Sequence, residues 1–179
     1  MKFELQFPSS KIAHWAREYR KDENEMCRET AALVAGRNLT AGQGTLEDLE
    51  VIVRWKSPRR IALLGENEAA DIAEACLIAS KTSSDRCAMA VLHGLRGVGV
   101  PMASAILTVM NPHRFTVIDF RALEALGQQN EAPTIQYYVR YLAACRDLAS
   151  THNVTLRELD QALWAWSKDQ NRIAQQSSC

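Results

Sequence analysis

Leu92-His-Gly-Leu-Arg-Gly-Val-Gly-Val-Pro-Met-Ala-Ser-Ala-Ile-Leu107 is the stretch on which the fold turns, together with Phe115-Thr-Val-Ile-Asp-Phe-Arg121. A helical run stops at a glycine-rich hairpin, and a second helical run starts within two residues. Gly97 and Gly99 flank Val98, so the chain can turn sharply and bring backbone N–H groups close to a ligand. Pro101 is tolerated in the first turn of the second helix, where its missing N–H is no loss. The N–H groups and positive dipole end of that helix suit an anion such as a phosphate, and Arg96 adds a charge. Twenty residues after Gly99 stands Asp119, placed to cap a third helix.

Working outward, the pattern is helical throughout. Residues 1–8 read as an extended arm. Ser9 or Ser10 caps a helix to about Cys27, with Ile12, Trp15 and Tyr19 on one face. A second helix covers roughly 28–35 and ends at Gly36. Thr45 and Asp48 open a helix that stops near Lys56, ahead of Pro58. A helical turn at 59–64 stops at Gly65. Asn67 caps the next helix, with Ala69, Ile72, Cys76 and Ala79 inward, and Ser84 caps residues 85–93. Helix 100–110 ends at Asn111-Pro112, residues 113–118 run extended, and helix 120–127 stops at Gly127. Pro133 opens a helix to about 150, and Thr155 with Glu158 caps the last one, whose tail frays beyond Arg172. The fold class is all-α.

Composition narrows the function. The 179 residues, 47% hydrophobic, suffice for one domain of two lobes. No apolar run approaches membrane-spanning length and the start lacks a signal-peptide core, so a cytoplasmic protein is the simple expectation. Cys27, Cys76, Cys87, Cys145 and Cys179 are odd in number and form no C-x-x-C pair, which argues against a disulfide framework, a zinc site and an iron–sulfur cluster. Most read as small core residues. The 21 basic and 21 acidic residues cancel, but acids cluster at 66–74 and leave the hairpin and the 54–60 loop locally positive.

The residues Leu95-Arg-Gly-Val-Gly99, Asn111-Pro112 and Val117-Ile-Asp119 resemble the helix-hairpin-helix DNA glycosylase superfamily, in its endonuclease III-like spacing. The motif covers about 35 residues and extends loosely over 30–127. The resemblance implies a two-lobed, helical fold: residues 1–28 with 120–179 as one lobe, and 29–119 as a barrel lobe ending in the hairpin helices of 85–110. It implies a base pocket between the lobes with Asp119 as catalytic carboxylate, and Arg96, Gly97, Val98 and Gly99 gripping the DNA backbone. A monovalent cation, sodium or potassium, at the carbonyls of Leu95 and Val98 also follows from it. Members that cleave the strand carry a Lys just after the second hairpin glycine. Val100, Pro101 and Met102 stand there instead, so a monofunctional glycosylase without strong lyase activity follows. The partner implied is duplex DNA holding a damaged or modified base, met by a monomer.

Residue chemistry agrees with that placement. Breaking an N-glycosidic bond builds positive charge on the sugar, which a carboxylate stabilises. The base must leave the stack for a pocket. Trp55-Lys-Ser-Pro-Arg-Arg60 follows the first strong helix of the barrel lobe. Trp55 can stack on a flipped base, Lys56, Arg59 and Arg60 can hold phosphates or polar groups of a modified base, and Ser57 stands with Trp55, Lys56 and Arg59 as a base-pocket or duplex-wedge residue. His14 and Trp15, with Tyr19, are further pocket candidates, whereas Tyr137, Tyr138, Tyr141, Trp164 and Trp166 read as packing residues. Two other readings stand beside this one. One is a non-catalytic helix-hairpin-helix protein that recognises distorted or modified DNA. The other is a lyase that uses a different amine, Lys56 being nearest.

Overall fold

The computed structural model describes residues 2–128 and 133–176, and these form ten α-helices and no strand. They are α1 (Ile12–Arg20), α2 (Glu23–Thr40), α3 (Leu46–Lys56), α4 (Ile61–Leu64), α5 (Ala69–Lys81), α6 (Asp85–His93), α7 (Val100–Met110), α8 (Phe120–Ala125), α9 (Ile135–Thr151) and α10 (Leu156–Gln176). The all-α class holds. Helix α7 is the axis: every residue from Met102 to Met110 is buried, and α2, α3, α5 and α6 pack around it. Helices α1 and α8 lie against α10, and α9 bridges α10 to α6. One continuous apolar core joins both groups, from Phe7 and Ile12 through Ile106 to Leu163. No described helix is long and apolar enough to cross a membrane.

Local chemistry sets most boundaries. The Thr45–Asp48 pair forms a reciprocal capping box, Ser84 accepts the N–H of Cys87, and Thr155 and Glu158 cap α10. Gly127 adopts φ +68°, the left-handed geometry that ends α8. The N-terminal arm pairs with that end, Glu4 and Gln6 donating to the carbonyls of Leu126 and Ala125.

Four expectations are corrected. The first helix does not reach Cys27; it ends at Arg20, because the Asp22 carboxylate accepts the N–H of Glu25 and starts α2. Gly36 is no terminator. Helix α2 runs on to Thr40, and Gly36 lies where its backbone presses on α7: a Cβ there would meet the Val109 carbonyl oxygen at 2.4 Å. Asn67 does not cap α5, which begins after Glu68, and Ala69 faces solvent. The tail does not fray at Arg172, since α10 continues to Gln176. Of the cysteines, Cys76 and Cys145 are buried while Cys27 and Cys87 are exposed; Cys179 lies outside the described residues.

Overpacking at a backbone contact has no flexible side chain to absorb it. Gly36→Ala is therefore expected to cost roughly 1–3 kcal/mol or more, read as a lowered midpoint in urea melts.

Candidate active site

The route to the site begins at the hairpin. Gly97 sits at φ +81°, and a Cβ on it would come within 2.9 Å of Leu63. This glycine is required by conformation and by packing against α4. Asn67 splints the turn: its Oδ1 accepts the Arg96 N–H at 2.7 Å, and its Nδ2 donates to the carbonyls of Leu64 and Arg96. Val98 is buried and closes the turn by donating to Leu95. Gly99 differs. Its φ of −81° suits any residue, and a Cβ would meet only Pro101, at 3.9 Å. Among the described residues nothing accepts the N–H groups of Gly99, Val100 and Met102 at the head of α7. Arg96 is solvent-exposed and pairs with Glu66 at 2.8 Å, a contact that a stronger anion can replace at little cost.

After α7 the chain runs extended and buried through Phe115, Thr116, Val117 and Ile118. With no sheet partner, it relies on side chains for several of its backbone bonds, while the Phe115 N–H donates to the Asn111 carbonyl. The Ile118 N–H donates to Ser104 Oγ at 3.0 Å, Tyr138 and Tyr141 donate to the carbonyls of Thr116 and Val117, and Arg146 donates to that of Arg114. This frame delivers Asp119. Its Oδ1 accepts the Ala122 N–H at 2.9 Å and caps α8; its Oδ2 meets Lys56 Nζ at 2.6 Å, both side chains being largely buried.

The pair opens onto a cavity of about 50 Å³, which admits water and is lined by Tyr19, Glu25, Trp55, Lys56, Val117, Asp119, Arg157, Asp160 and Trp164. Behind it lies a buried charge network. Arg157 donates to Glu29 through Nε at 2.6 Å, pairs with Asp160, and reaches the Tyr19 hydroxyl at 3.2 Å. Its guanidinium lies over the rings of Tyr19 and Trp55. Gln161 joins the network through Glu29 and Arg20. Beside Asp119, Arg121 lies between the rings of Phe120 and Trp164, and its Nη1 is buried with no acceptor among the described residues.

The two carboxylates of the cavity are held differently. Burial by itself would raise the Asp119 carboxyl, but the Lys56 ammonium, the Ala122 N–H and the nearby Arg121 outweigh it and keep it below the usual carboxylate range. Asp160 is pushed up to about 6: burial dominates, the Arg157 charge opposes it, and Asp119 adds repulsion. Burial also raises Glu29, yet Arg157, Tyr19 and Gln161 bring it below its ordinary value.

Of the residues picked out from sequence, the structure brings Asp119, Trp55, Lys56 and Tyr19 together. Arg59 is exposed and Ser57 half-buried, and neither lines the cavity. His14 and Trp15 meet edge to face over the α1–α10 groove, outside the Asp119 cavity. Trp164, read as a packing residue, is a cavity wall. Arg157, Asp160, Glu29 and Arg121 were missed. The one available signal was the charged run Leu156-Arg-Glu-Leu-Asp160 at a helix start, where Arg157 and Asp160 share a face with buried leucines.

No protein-family model matches the chain, and comparison with curated proteins finds no match. Among solved structures, the chain is similar to the Methanocaldococcus jannaschii 8-oxoguanine glycosylase/lyase in complex with a 15mer DNA containing 8-oxoguanine. The identity is 19% and the TM-score 0.42, over 87% of each chain. It is similar also to the 8-oxoguanine DNA glycosylase of that organism, at 18% identity and TM-score 0.40, over 87% of this chain and 84% of that one. At these values the chemistry has to come from this chain's own residues.

Two outcomes follow from the geometry. Gly97→Ala should destabilise the protein, whereas Gly99→Ala should leave its melting temperature within a degree or two of the parent while weakening any anion held at the head of α7. For Asp160 the folded pKa lies above the unfolded value of about 3.9, so its stabilising share is present below that value and lost as pH rises through about 6. Asp160→Asn cannot ionise, so its unfolding free energy should gain on wild type as pH goes from 4 to 7, by on the order of 1–3 kcal/mol in urea melts.

Proposed function

We propose that the protein is a monofunctional DNA glycosylase that hydrolyses the N-glycosidic bond of a damaged or modified base flipped out of duplex DNA, with Asp119 as the catalytic carboxylate. The observation that carries this reading is the ionised Asp119 at the head of α8, walling a cavity with the rings of Trp55, Tyr19 and Trp164. A sugar carbon that turns cationic as the base departs is stabilised by such a charge in a water-poor site. The free N–H groups at the head of α7, with the open face of Gly99, support a grip on one phosphate by Arg96, Gly97, Val98 and Gly99. In the free protein Lys56 neutralises Asp119. A DNA phosphate competing for that ammonium would leave Oδ2 for the sugar.

A monovalent cation fits the hairpin. The Val98 carbonyl accepts nothing among the described residues, and the Leu95 carbonyl has a second lone pair beside the one held by Val98. When bound, it would add positive charge toward the phosphate. The protein would act as a monomer on duplex DNA, in base-excision repair or in removal of modified bases such as those of phage DNA. A non-catalytic reader of distorted DNA would use the same hairpin, but an ionised carboxylate beside a cavity favours chemistry.

One observation favours a second reading, that of a lyase: the Lys56 amine lies 2.6 Å from Asp119, close enough to pass it a proton and then attack the sugar carbon itself. Duplexes carrying a panel of damaged and modified bases test all three. Asp119→Asn is expected to reduce base release about 100-fold or more, measured by mass spectrometry of the freed base. Release unchanged by that substitution would sink the assignment. Covalent trapping by borohydride that disappears in Lys56→Gln would replace the hydrolytic reading with the lyase, and binding without release would replace it with the reader.

A further inference from the structure

We propose that Asp160 is the general acid of this site, handing a proton to the departing base while Asp119 faces the sugar. The inference rests on the glycosylase reading above and adds the class of base it serves. Asp160 is 6% exposed, lines the same cavity as Asp119, and uses only one oxygen: Oδ2 pairs with Arg157, and Oδ1 has no partner among the described residues. Oδ1 keeps some exposure, in contact with the open space of the cavity that Asp119 shares.

The charges around it explain why this carboxyl and not another holds a proton. Four carboxylates lie at the cleft, Asp119, Asp160, Glu29 and Glu25, with three cations, Lys56, Arg157 and Arg121, and Glu25 also reaches Arg28. Arg157 on α10 is shared between Glu29 on α2 and Asp160, while Lys56 on α3 belongs to Asp119. Tyr19 on α1 and Tyr141 and Cys145 on α9 also face this charge, and burial holds all three in their neutral forms. Burial and a shared cation therefore leave Asp160 as the carboxyl that is raised, to about 6. Two carboxyls on one cavity, one held below the ordinary carboxylate range and one raised to about 6, divide the work of breaking a glycosidic bond.

The step balances. The C–N bond breaks and its electron pair goes to the base. The proton on Asp160 moves to a ring nitrogen of the base, leaving a carboxylate that Arg157 already faces. Water adds to the sugar carbon, and the proton it releases restores the acid. An acid of this kind serves an uncharged purine or pyrimidine, which would otherwise leave as an anion. A base already alkylated to a cation leaves as a neutral molecule and draws nothing from it.

The test compares wild type and Asp160→Asn, which keeps an oxygen for Arg157, in single turnover from pH 5 to 9. The substrates are duplexes carrying hypoxanthine, 8-oxoguanine or uracil, and a duplex carrying cationic 7-methylguanine. For an uncharged base the wild-type rate should fall about tenfold per unit above pH 6. Asp160→Asn should lower that rate about 100-fold or more at pH 6 and flatten the profile. Its affinity for a duplex holding an abasic analogue should match wild type, while its melting temperature should gain on wild type as pH rises from 5 to 7. A wild-type profile flat from pH 5 to 8 overturns the proposal without recourse to the variant, and so does an unchanged rate in Asp160→Asn. So does a wild type that prefers 7-methylguanine to every uncharged base. If wild type releases none of these bases, the glycosylase reading fails and takes this inference with it; release with no effect at Asp160 removes this inference alone.

Discussion

A stretch of extended backbone, buried between helices with no strand beside it, is the constraint on which the site depends. Residues 115–118 are at most 4% exposed, so their peptide groups cannot turn to water. An orphaned buried peptide group costs about as much as a lost hydrogen bond. Ser104, Tyr138 and Tyr141 supply partners to Ile118, Thr116 and Val117 from α7 and α9, and Arg146 holds the Arg114 carbonyl just ahead of them. Each of them thereby becomes a positioning residue for Asp119, though none touches the cavity. The two tyrosine hydroxyls explain why such large polar-tipped rings can be wholly buried.

Charge forms the second layer. The cleft between α1, α2, α3, α8 and α10 holds carboxylates and cations at a depth where unpaired charge is costly. Such pairs add little net stability, since desolvation offsets much of the attraction. They fix geometry instead: Arg157 ties α10 to α2 and α1 through Glu29 and Tyr19, and Lys56 ties α3 to the head of α8. The two groups of helices therefore meet through a polar seam at the cleft and through a continuous apolar core beneath it.

Much of the helical scaffold was legible in the chain because its signals are local. Caps such as Thr45–Asp48, Ser84 and Thr155–Glu158 act within one turn, and the hairpin glycines act within three residues. The errors arose where a residue serves a distant partner. Gly36 looks like a helix stop, yet its missing side chain lets α2 lie on the Val109 carbonyl. Asn67 looks like a cap, yet it clamps the hairpin backbone. Asp22 was hidden in a polar run that reads as a solvated helix end, although the Asp22–Glu25 spacing carries the break.

By itself the sequence determined that the chain is all-α, that a glycine hairpin heads a buried helix, and that one carboxylate follows twenty residues on. These rest on periodicity and short-range backbone chemistry, which need no knowledge of the fold. Only the tertiary structure decided what surrounds that carboxylate. Lys56 lies 63 residues from it in the chain, and Arg157 and Asp160 come from the C-terminal helix, outside the reach of any motif. It also set His14 and Trp15 apart from the cavity and placed Trp164 in its wall. Protonation, pairing and access depend on burial and on neighbours brought together by packing, and no spacing along the chain encodes them.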